Sequence, residues 1–316
     1  MLKKLISVVA IAAMTAMLTA CGTPKLEGKI NVGALNGPTG MGMVDLVDEE
    51  LVNITTYQTP DEVVQKFISG DVDIAAVPTN LASVLYKKTD GNVVALTTVC
   101  SGVLYLVENG DAVSELKDLK GKTIYASGKG GTPEYVLEIL LQKSGLTVGQ
   151  DVQIQWMDAH ADVAQTLMKN AGSVALLPEP FVSTVTSKSS SIKIAVDLNA
   201  QWKDKLGQDL PMGVLIVKKD FAEKRADDIK AFLALYEKSV KDVITASDEV
   251  AKKIVDAGFL ADAEVAKAAI PRCNISCMSP EDSKATLSAF FETLYKIAPQ
   301  SIGGAVPGED IYYTGK

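Results

Sequence analysis

Histidine and arginine are nearly missing from this 316-residue chain, in which His160 is the single imidazole and Arg225 and Arg272 are the two guanidinium groups. A mechanism that needs several imidazoles is therefore excluded. Aromatic residues make up only 6%, and basic residues are outnumbered, 31 Lys+Arg against 39 Asp+Glu, for a formal charge of −8. The first 20 residues carry only Lys3 and Lys4 as charges, so losing them makes the chain more acidic by two. A nucleic-acid binder has the opposite balance. After position 20 no apolar run approaches the roughly 20 residues needed to cross a bilayer. The 47% hydrophobic content and the length instead describe a globular protein large enough for two lobes.

What is present begins with Met1-Leu2-Lys3-Lys4, an apolar run from Leu5 to Ala20, and Leu18-Thr19-Ala20-Cys21 at its end. This reads as a targeting segment. It resembles the bacterial lipoprotein signal, which implies that residues 1–20 are removed, that Cys21 is lipidated, and that the protein is anchored at the outer face of a cell membrane or in the periplasm. Stable anchoring needs more than one acyl chain. Setting Cys21 aside leaves Cys100, Cys273 and Cys277, an odd number, so at least one thiol is free. Cys273, Ile275 and Cys277 alternate like one face of a strand. If extended, the two cysteines stand roughly 13 Å apart and cannot be bridged, whereas a helical or looped segment brings them within range. Buried cysteines acting as small apolar residues are expected, with no metal and no cofactor.

Beyond a tether at 21–27, strands and helices alternate. Lys29–Leu35 reads as a strand, Asn36–Gly40 as a turn, Met41–Glu50 as a helix and Val52–Tyr57 as the next strand. Thr59-Pro60-Asp61-Glu62 carries a capping box with proline in the first turn, and Gly70 ends that helix. Asp73–Val77 is the third strand. The order repeats from Lys122 to Gly145, and Asp71–Pro78 is matched by Gly172–Pro178, each a short apolar strand stopping at proline. Such βαβ grammar gives two α/β lobes with mainly parallel sheets flanked by helices. The connections are expected at Cys100-Ser101-Gly102 and Pro211-Met212-Gly213, which places one lobe at 28–102 and 212–316 and the other at 103–211.

The lipoprotein-type start, Asp118-Leu119-Lys120-Gly121-Lys122 before the second lobe's strand, Glu179-Pro180 after the Ala175 strand, and Gly213–Phe221 at the return resemble the solute-binding proteins of ABC importers. The resemblance is to the branch that takes nitrate, sulfonates, taurine and thiamine precursors. It implies a two-lobed type II periplasmic-binding fold with two hinge crossovers, a small-molecule solute between the lobes, and an ABC permease and ATPase as partners. A monomer that binds no nucleic acid is expected.

Loops at the carboxyl ends of strands form the crevice in α/β sheets. They nominate Asn36, Thr39, Gly40, Met41, Thr79, Asn80, Ser101, Gly102, Lys129, Gly130, Thr132, Glu179 and Met212 as ligand contacts. Thr39 offers a hydroxyl at a helix start, Thr132 suits a helix cap, Lys129 offers a charge, and Glu179 offers an acceptor for a ligand N–H or ammonium. No arginine falls in these loops, which favours a neutral, zwitterionic or amine-bearing solute over a dianion. Neither Gly40-Met41-Gly42 nor Gly121-Lys122-Thr123 completes a nucleotide-binding motif. No catalytic residue is assigned, and His160 is expected at the surface or as a cap. The alternatives are an enzyme on the same fold, of the pyrimidine- or menaquinone-pathway type, and a sensory lipoprotein.

Overall fold

The computed structural model describes residues 25–315. The targeting segment and Cys21 lie outside them. The chain opens with β1 (Ile30–Leu35), the single turn α1 (Pro38–Met41), a 3-10 turn (Val44–Asp48), β2 (Val52–Tyr57), α2 (Pro60–Ser69), β3 (Ile74–Pro78), α3 (Thr79–Lys88) and β4 (Val94–Ser101). It continues through β5 (Leu104–Asn109), β6 (Thr123–Ser127), α4 (Thr132–Lys143), β7 (Gln153–Met157), α5 (His160–Lys169), β8 (Val174–Pro178), α6 (Phe181–Lys188), β9 (Ile192–Asp197) and α7 (Leu198–Leu206). It closes with β10 (Pro211–Val217), α8 (Lys219–Lys224), α9 (Ala226–Val243), α10 (Asp248–Asp256), α11 (Ala263–Cys273) and α12 (Pro280–Ile297).

Two five-stranded sheets result, ordered β2-β1-β3-β10-β4 and β7-β6-β8-β5-β9. In each, four strands point one way and one runs against them: β10 is antiparallel to β3 and β4, and β5 to β8 and β9. The two reversed strands are the first after each passage of the chain between sheets. The mainly parallel α/β architecture read from the βαβ grammar is thus present, with one reversed strand per sheet. The crossovers lie side by side, because Gly102 N–H donates to the Leu210 carbonyl at 2.8 Å. Gly102 has φ +55°, and a Cβ there would stand 2.0 Å from the Asn199 side chain, so only glycine fits between them.

Local signals explain most boundaries. Thr59 and Glu62 form the reciprocal capping box, and Gly70 ends α2 in the left-handed region. Ser279 caps α12 through the Asp282 N–H. Helix α9 buries Ile229, Phe232, Tyr236, Val240 and Val243, a spacing of three and four residues that presents one face to the first sheet. Each such side chain contributes about 1.5–3 kcal/mol on burial. A single apolar cluster includes residues behind both sheets, and Trp202 of α7 meets Phe290 of α12 inside it with ring centroids 6.0 Å apart.

One local expectation is corrected and one open reading is decided. Met41–Glu50 is no continuous helix. Gly42 interrupts it after α1, and the chain continues as the 3-10 turn. Cys273 lies at the end of α11 instead of on a strand, with Asn274 taking the left-handed C-cap at φ 44°. All three described cysteines are free thiols, and burial pushes Cys100 up to about 12.

Candidate functional site

The carboxyl ends of β1 and β3 approach those of β8 and β6: Gly37 lies against Pro180, and Asn80 meets Thr132. Eight helices follow directly on strands. Two of them, α2 and α7, have first turns bonded by the side chains of Thr59 and Asp197. Helices α1, α3, α4, α5, α6 and α8 begin at Gly37, Pro78, Gly131, Ala159, Pro180 and Lys218, whose side chains make no capping bond. The first N–H groups of a helix lie at the positive end of its dipole; in α6 the Ser183 N–H is taken by the Glu179 carboxylate, and in α4 Pro133 has no N–H and the Glu134 N–H donates to the Gly131 carbonyl, which leaves the Thr132 N–H. The Thr132 cap is thereby corrected: Gly131 is the N-cap and Thr132 is the first helical residue.

Helices α3 and α4 meet end to end across the cleft. Thr132 Oγ1 donates to Asn80 Oδ1 at 2.9 Å, and Asn80 Nδ2 donates to the Ser301 carbonyl at 3.1 Å. Beside this contact the Thr79 hydroxyl is wholly buried without a hydrogen-bond partner, and so is the Ser101 hydroxyl at the end of β4. A buried, unpaired hydroxyl costs about 1–3 kcal/mol, so such groups mark a place where a polar partner is wanted.

A second tie joins the layers at Glu179. Its side chain is fully buried and accepts from Arg272 Nε at Oε1 and from the Ser183 N–H at Oε2, while Arg272 Nη2 donates to Ser183 Oγ at 2.6 Å. The Tyr105 hydroxyl donates to the Arg272 carbonyl at 3.2 Å. Arg272 arrives from the end of α11, 93 residues further along the chain. No arginine falls in the cleft loops themselves, but Arg272 reaches one of them from α11, so the loops' own composition does not decide the charge of the cleft. The amine-accepting role expected of Glu179 is filled by that guanidinium.

His160 is corrected too. It opens α5 in a half-buried place, where Nδ1 lies 2.6 Å from Ser127 Oγ and the ring stacks at a tilt on Phe181, centroids 5.5 Å apart. Burial lowers its pKa to about 4, so the imidazole is neutral at pH 7. A neutral ring can accept the Ser127 proton at Nδ1 and present its own N–H at Nε2. Neither Ser127 nor Arg272 was nominated from sequence. The strand-end rule that selected Thr79 also covers Ser127, but nothing local marks Arg272.

The other nominated residues divide by burial. Thr39 donates to the Leu35 carbonyl at 3.1 Å. Gly40 is packed so closely that a Cβ would stand 2.5 Å from Phe259, and Met41 is wholly buried in the first sheet's apolar cluster. Gly102 is buried and Met212 half-buried, while Asn36, Lys129 and Gly130 are exposed. A groove of about 530 Å³ opens at the cleft's mouth. Another, of about 550 Å³, lies away from the cleft between α9 and Met278–Pro280.

The sequence model of the family described as ABC transporter, phosphonate, periplasmic substrate-binding protein matches residues 46–267. No curated protein sequence matches the chain. Among solved structures, an ABC transporter protein from Parabacteroides distasonis superposes with a TM-score of 0.78 at 22% identity, covering 92% of this chain and 100% of that one. The periplasmic aliphatic sulphonate-binding protein of Escherichia coli gives 0.68 at 16% identity, covering 90% and 96%. The alkanesulfonate-binding protein of Xanthomonas axonopodis pv. citri, bound to MOPS, gives 0.63 at 14% identity, covering 91% and 97%.

Proposed function

The chain belongs to the phosphonate periplasmic substrate-binding family of ABC transporters, and we propose that it captures an organic tetrahedral oxyanion, a phosphonate or a sulfonate, in the cleft between its two sheets. The carrying observation is the meeting of the uncapped N-termini of α3 and α4 at the Asn80–Thr132 contact, beside the orphaned Thr79 hydroxyl. In this reading the first turn of α3, the Thr132 N–H of α4 and the Thr79 hydroxyl are offered to an anion, which a helix end binds without a neutralising side chain. Of the neutral, zwitterionic or amine-bearing solutes expected from the loops alone, this reading keeps the zwitterionic ones that carry such a head group and sets aside the rest. It overlaps the sulfonate part of the branch to which the sequence bears a resemblance.

Capture requires a change of shape that the solute favours. The ties Thr132–Asn80 and Arg272–Glu179 join segments carried by different sheets, so in this reading they form on closure and separate on opening. Hinge bending at the Gly102 and Leu210 crossovers, with lobes at 28–102 plus 212–316 and 103–211, opens the cleft, and binding across it selects the closed form. A permease with its ATPase then takes delivery, from a monomer held at the membrane through lipidated Cys21. Turnover is no part of this reading. Ser127 and His160 pair hydroxyl with imidazole, but a base titrating near 4 is nearly powerless to draw a proton at pH 7.

A thermal-shift series with phosphonates, sulfonates, nitrate, taurine and thiamine precursors tests the proposal. A ligand at 100 times its dissociation constant adds about 2.7 kcal/mol of stability. Stabilisation by phosphonates or sulfonates, weakened in Thr79→Val, is expected. Stabilisation only by nitrate, or only by a cationic solute, refutes it.

A further inference from the structure

One of the chain's two arginines lies far from the cleft, where the described residues begin. Arg225 and Asp228, at the start of α9, hold the residues just ahead of β1. Leu26 packs against the first sheet's apolar cluster, the Glu27 N–H donates to Asp228 Oδ1 at 2.6 Å, and the Lys29 carbonyl accepts from Arg225 Nη1 at 2.7 Å. Gly28 lies so close under the guanidinium that a Cβ there would stand 2.5 Å from Nη2. Arg225 Nε in turn donates to Asp228 Oδ2 at 2.7 Å, and the guanidinium lies over the Phe221 ring, 5.0 Å from its centroid. With 24% and 9% of their side chains exposed, the two are no ordinary surface pair.

This grip sits on one edge of the first sheet. Asn31, at the start of β1, exchanges hydrogen bonds with Asp73, just ahead of β3. Lys218, after β10, donates from Nζ to the Ile68 carbonyl at the end of α2 at 3.1 Å, and the Asp220 N–H of α8 donates to Asn92 Oδ1, ahead of β4, at 3.2 Å. The amino ends of β1, β3 and β4, the end of α2 and helix α8 therefore share one face, on which Ile68 is 50% exposed. The cleft lies at the other end of β1, about 20 Å away. Beyond it the second sheet extends to the amino ends of β6 and β8, which follow Lys120 and Lys169.

We propose that this face is the one the protein sets against a lipid surface, and that Arg225 and Asp228 fix it there by gripping the chain six residues after Cys21. The proposal rests on the anchored reading above. A chain spans at most about 3.3–3.6 Å per residue, so Glu27 stays within about 20 Å of a lipidated Cys21. Standing the second sheet on the membrane would lift Glu27 by the lengths of β8 and β1 set end to end, about 35 Å, which is out of reach. Placing the grip itself near the surface leaves the tether unstretched, covers Ile68 and holds the cleft about 20 Å further out. Freed from Arg225 and Asp228, the tether would run to β1 and reach about 30 Å, and the restriction would fade.

Lysine acetylation read by mass spectrometry tests this on the lipoprotein taken from the membranes of cells that make it and reconstituted in vesicles of phosphatidylcholine and phosphatidylglycerol. The reference is the chain lacking residues 1–21, which keeps every described residue, free in solution. On vesicles Lys29, Lys88 and Lys224, all exposed on the proposed face, are expected to react severalfold more slowly than in the reference, while Lys120, Lys169 and Lys188, exposed at the far end, keep the reference rates. Arg225→Gln should abolish that difference while the protein stays folded and bound to the vesicles. Should that variant fail to fold, insertion of about ten Gly/Ser residues after Gly22 lengthens the tether to the same effect. Equal protection of both sets, protection of the far set alone, or a pattern undiminished in the variant that folds overturns the inference and leaves the anchor standing. Vesicles that float without the protein, with no acyl mass on the Cys21 peptide, overturn the anchored reading and the inference with it.

Discussion

Removing the guanidinium of Arg272 exposes how the two layers are held together. Glu179 keeps none of its side chain in solvent, and Arg272 keeps 33%. In Arg272→Ala the carboxylate retains the Ser183 N–H but loses its only charged partner, and Ser183 Oγ loses its donor. Breaking a buried ion pair from one side costs about 3–5 kcal/mol, and the partial exposure of Arg272 argues for the lower end, about 3 kcal/mol. Glu179 and Arg272 belong to segments carried by different sheets, so parting the sheets can rehydrate the carboxylate and relieve the cost without unfolding. A loss of 3 kcal/mol shifts a closed-to-open equilibrium by about a hundredfold. Urea unfolding combined with small-angle scattering reads both routes: the midpoint falls, or the radius of gyration of the ligand-free protein rises. Arg272→Met combined with Glu179→Leu should recover most of the loss, because no uncompensated charge is left. An Arg272→Ala protein with wild-type midpoint and wild-type radius would refute the reasoning. Arg272→Lys is expected to recover only part, since an ammonium cannot span Glu179 and Ser183 with the guanidinium's planar geometry.

Three further outcomes are expected. Because the His160 pKa is lowered from 6.5 to about 4 in the folded protein, the unfolded chain takes up the proton first. The neutral ring's contribution is complete above pH 6.5, and about 3 kcal/mol is lost as pH falls toward 4. Urea midpoints from pH 7 to 4.5 should fall less steeply in His160→Gln. Thr132→Val leaves Asn80 Oδ1 buried without its donor, which costs about 1–2 kcal/mol of closure and weakens solute binding roughly tenfold by titration calorimetry. Among the described thiols, Cys277 is half-buried and pushed up to about 11, whereas Cys100 and Cys273 are fully buried. A thiol reagent at pH 9 should therefore label Cys277 first and the other two only as the protein unfolds, by mass spectrometry of the peptides.

Fold and site were not equally legible in the sequence. The strand–turn–helix order, the Thr59 capping box and the Gly70 stop depend on residues within one or two turns of one another, so pattern and propensity suffice to find them. The helix expected at Met41–Glu50 failed because Gly42 interrupts an otherwise helical pattern, and the chain turns there under Tyr236 and Ile275, which close in on the space above it. The loops after β3 and β6 were found because strand ends are local features, and they bring Asn80 and Thr132 together. Arg272 was invisible for the opposite reason. Its partner is 93 residues away, and the joining contact is made by the packing of α11 against α6, not by any motif. His160 looked like a surface residue because it follows Asp158 and Ala159 at a helix start, yet Phe181 and Ser127, from two other elements, enclose it.

The neighbouring crossovers carry a consequence for engineering. The chain leaves the first sheet at Ser101 and rejoins it at Pro211, and those two residues pair with each other across β4 and β10, so every strand of the second sheet is encoded in one uninterrupted stretch whose ends already touch. That stretch can be treated as a cassette. Exchanging it between relatives cuts the backbone at only two adjacent points and leaves the first sheet's own pairing intact. Because Thr132 and Glu179 travel with the cassette while Asn80 and Arg272 stay behind, each chimera would sort solute preference between the two halves of the cleft.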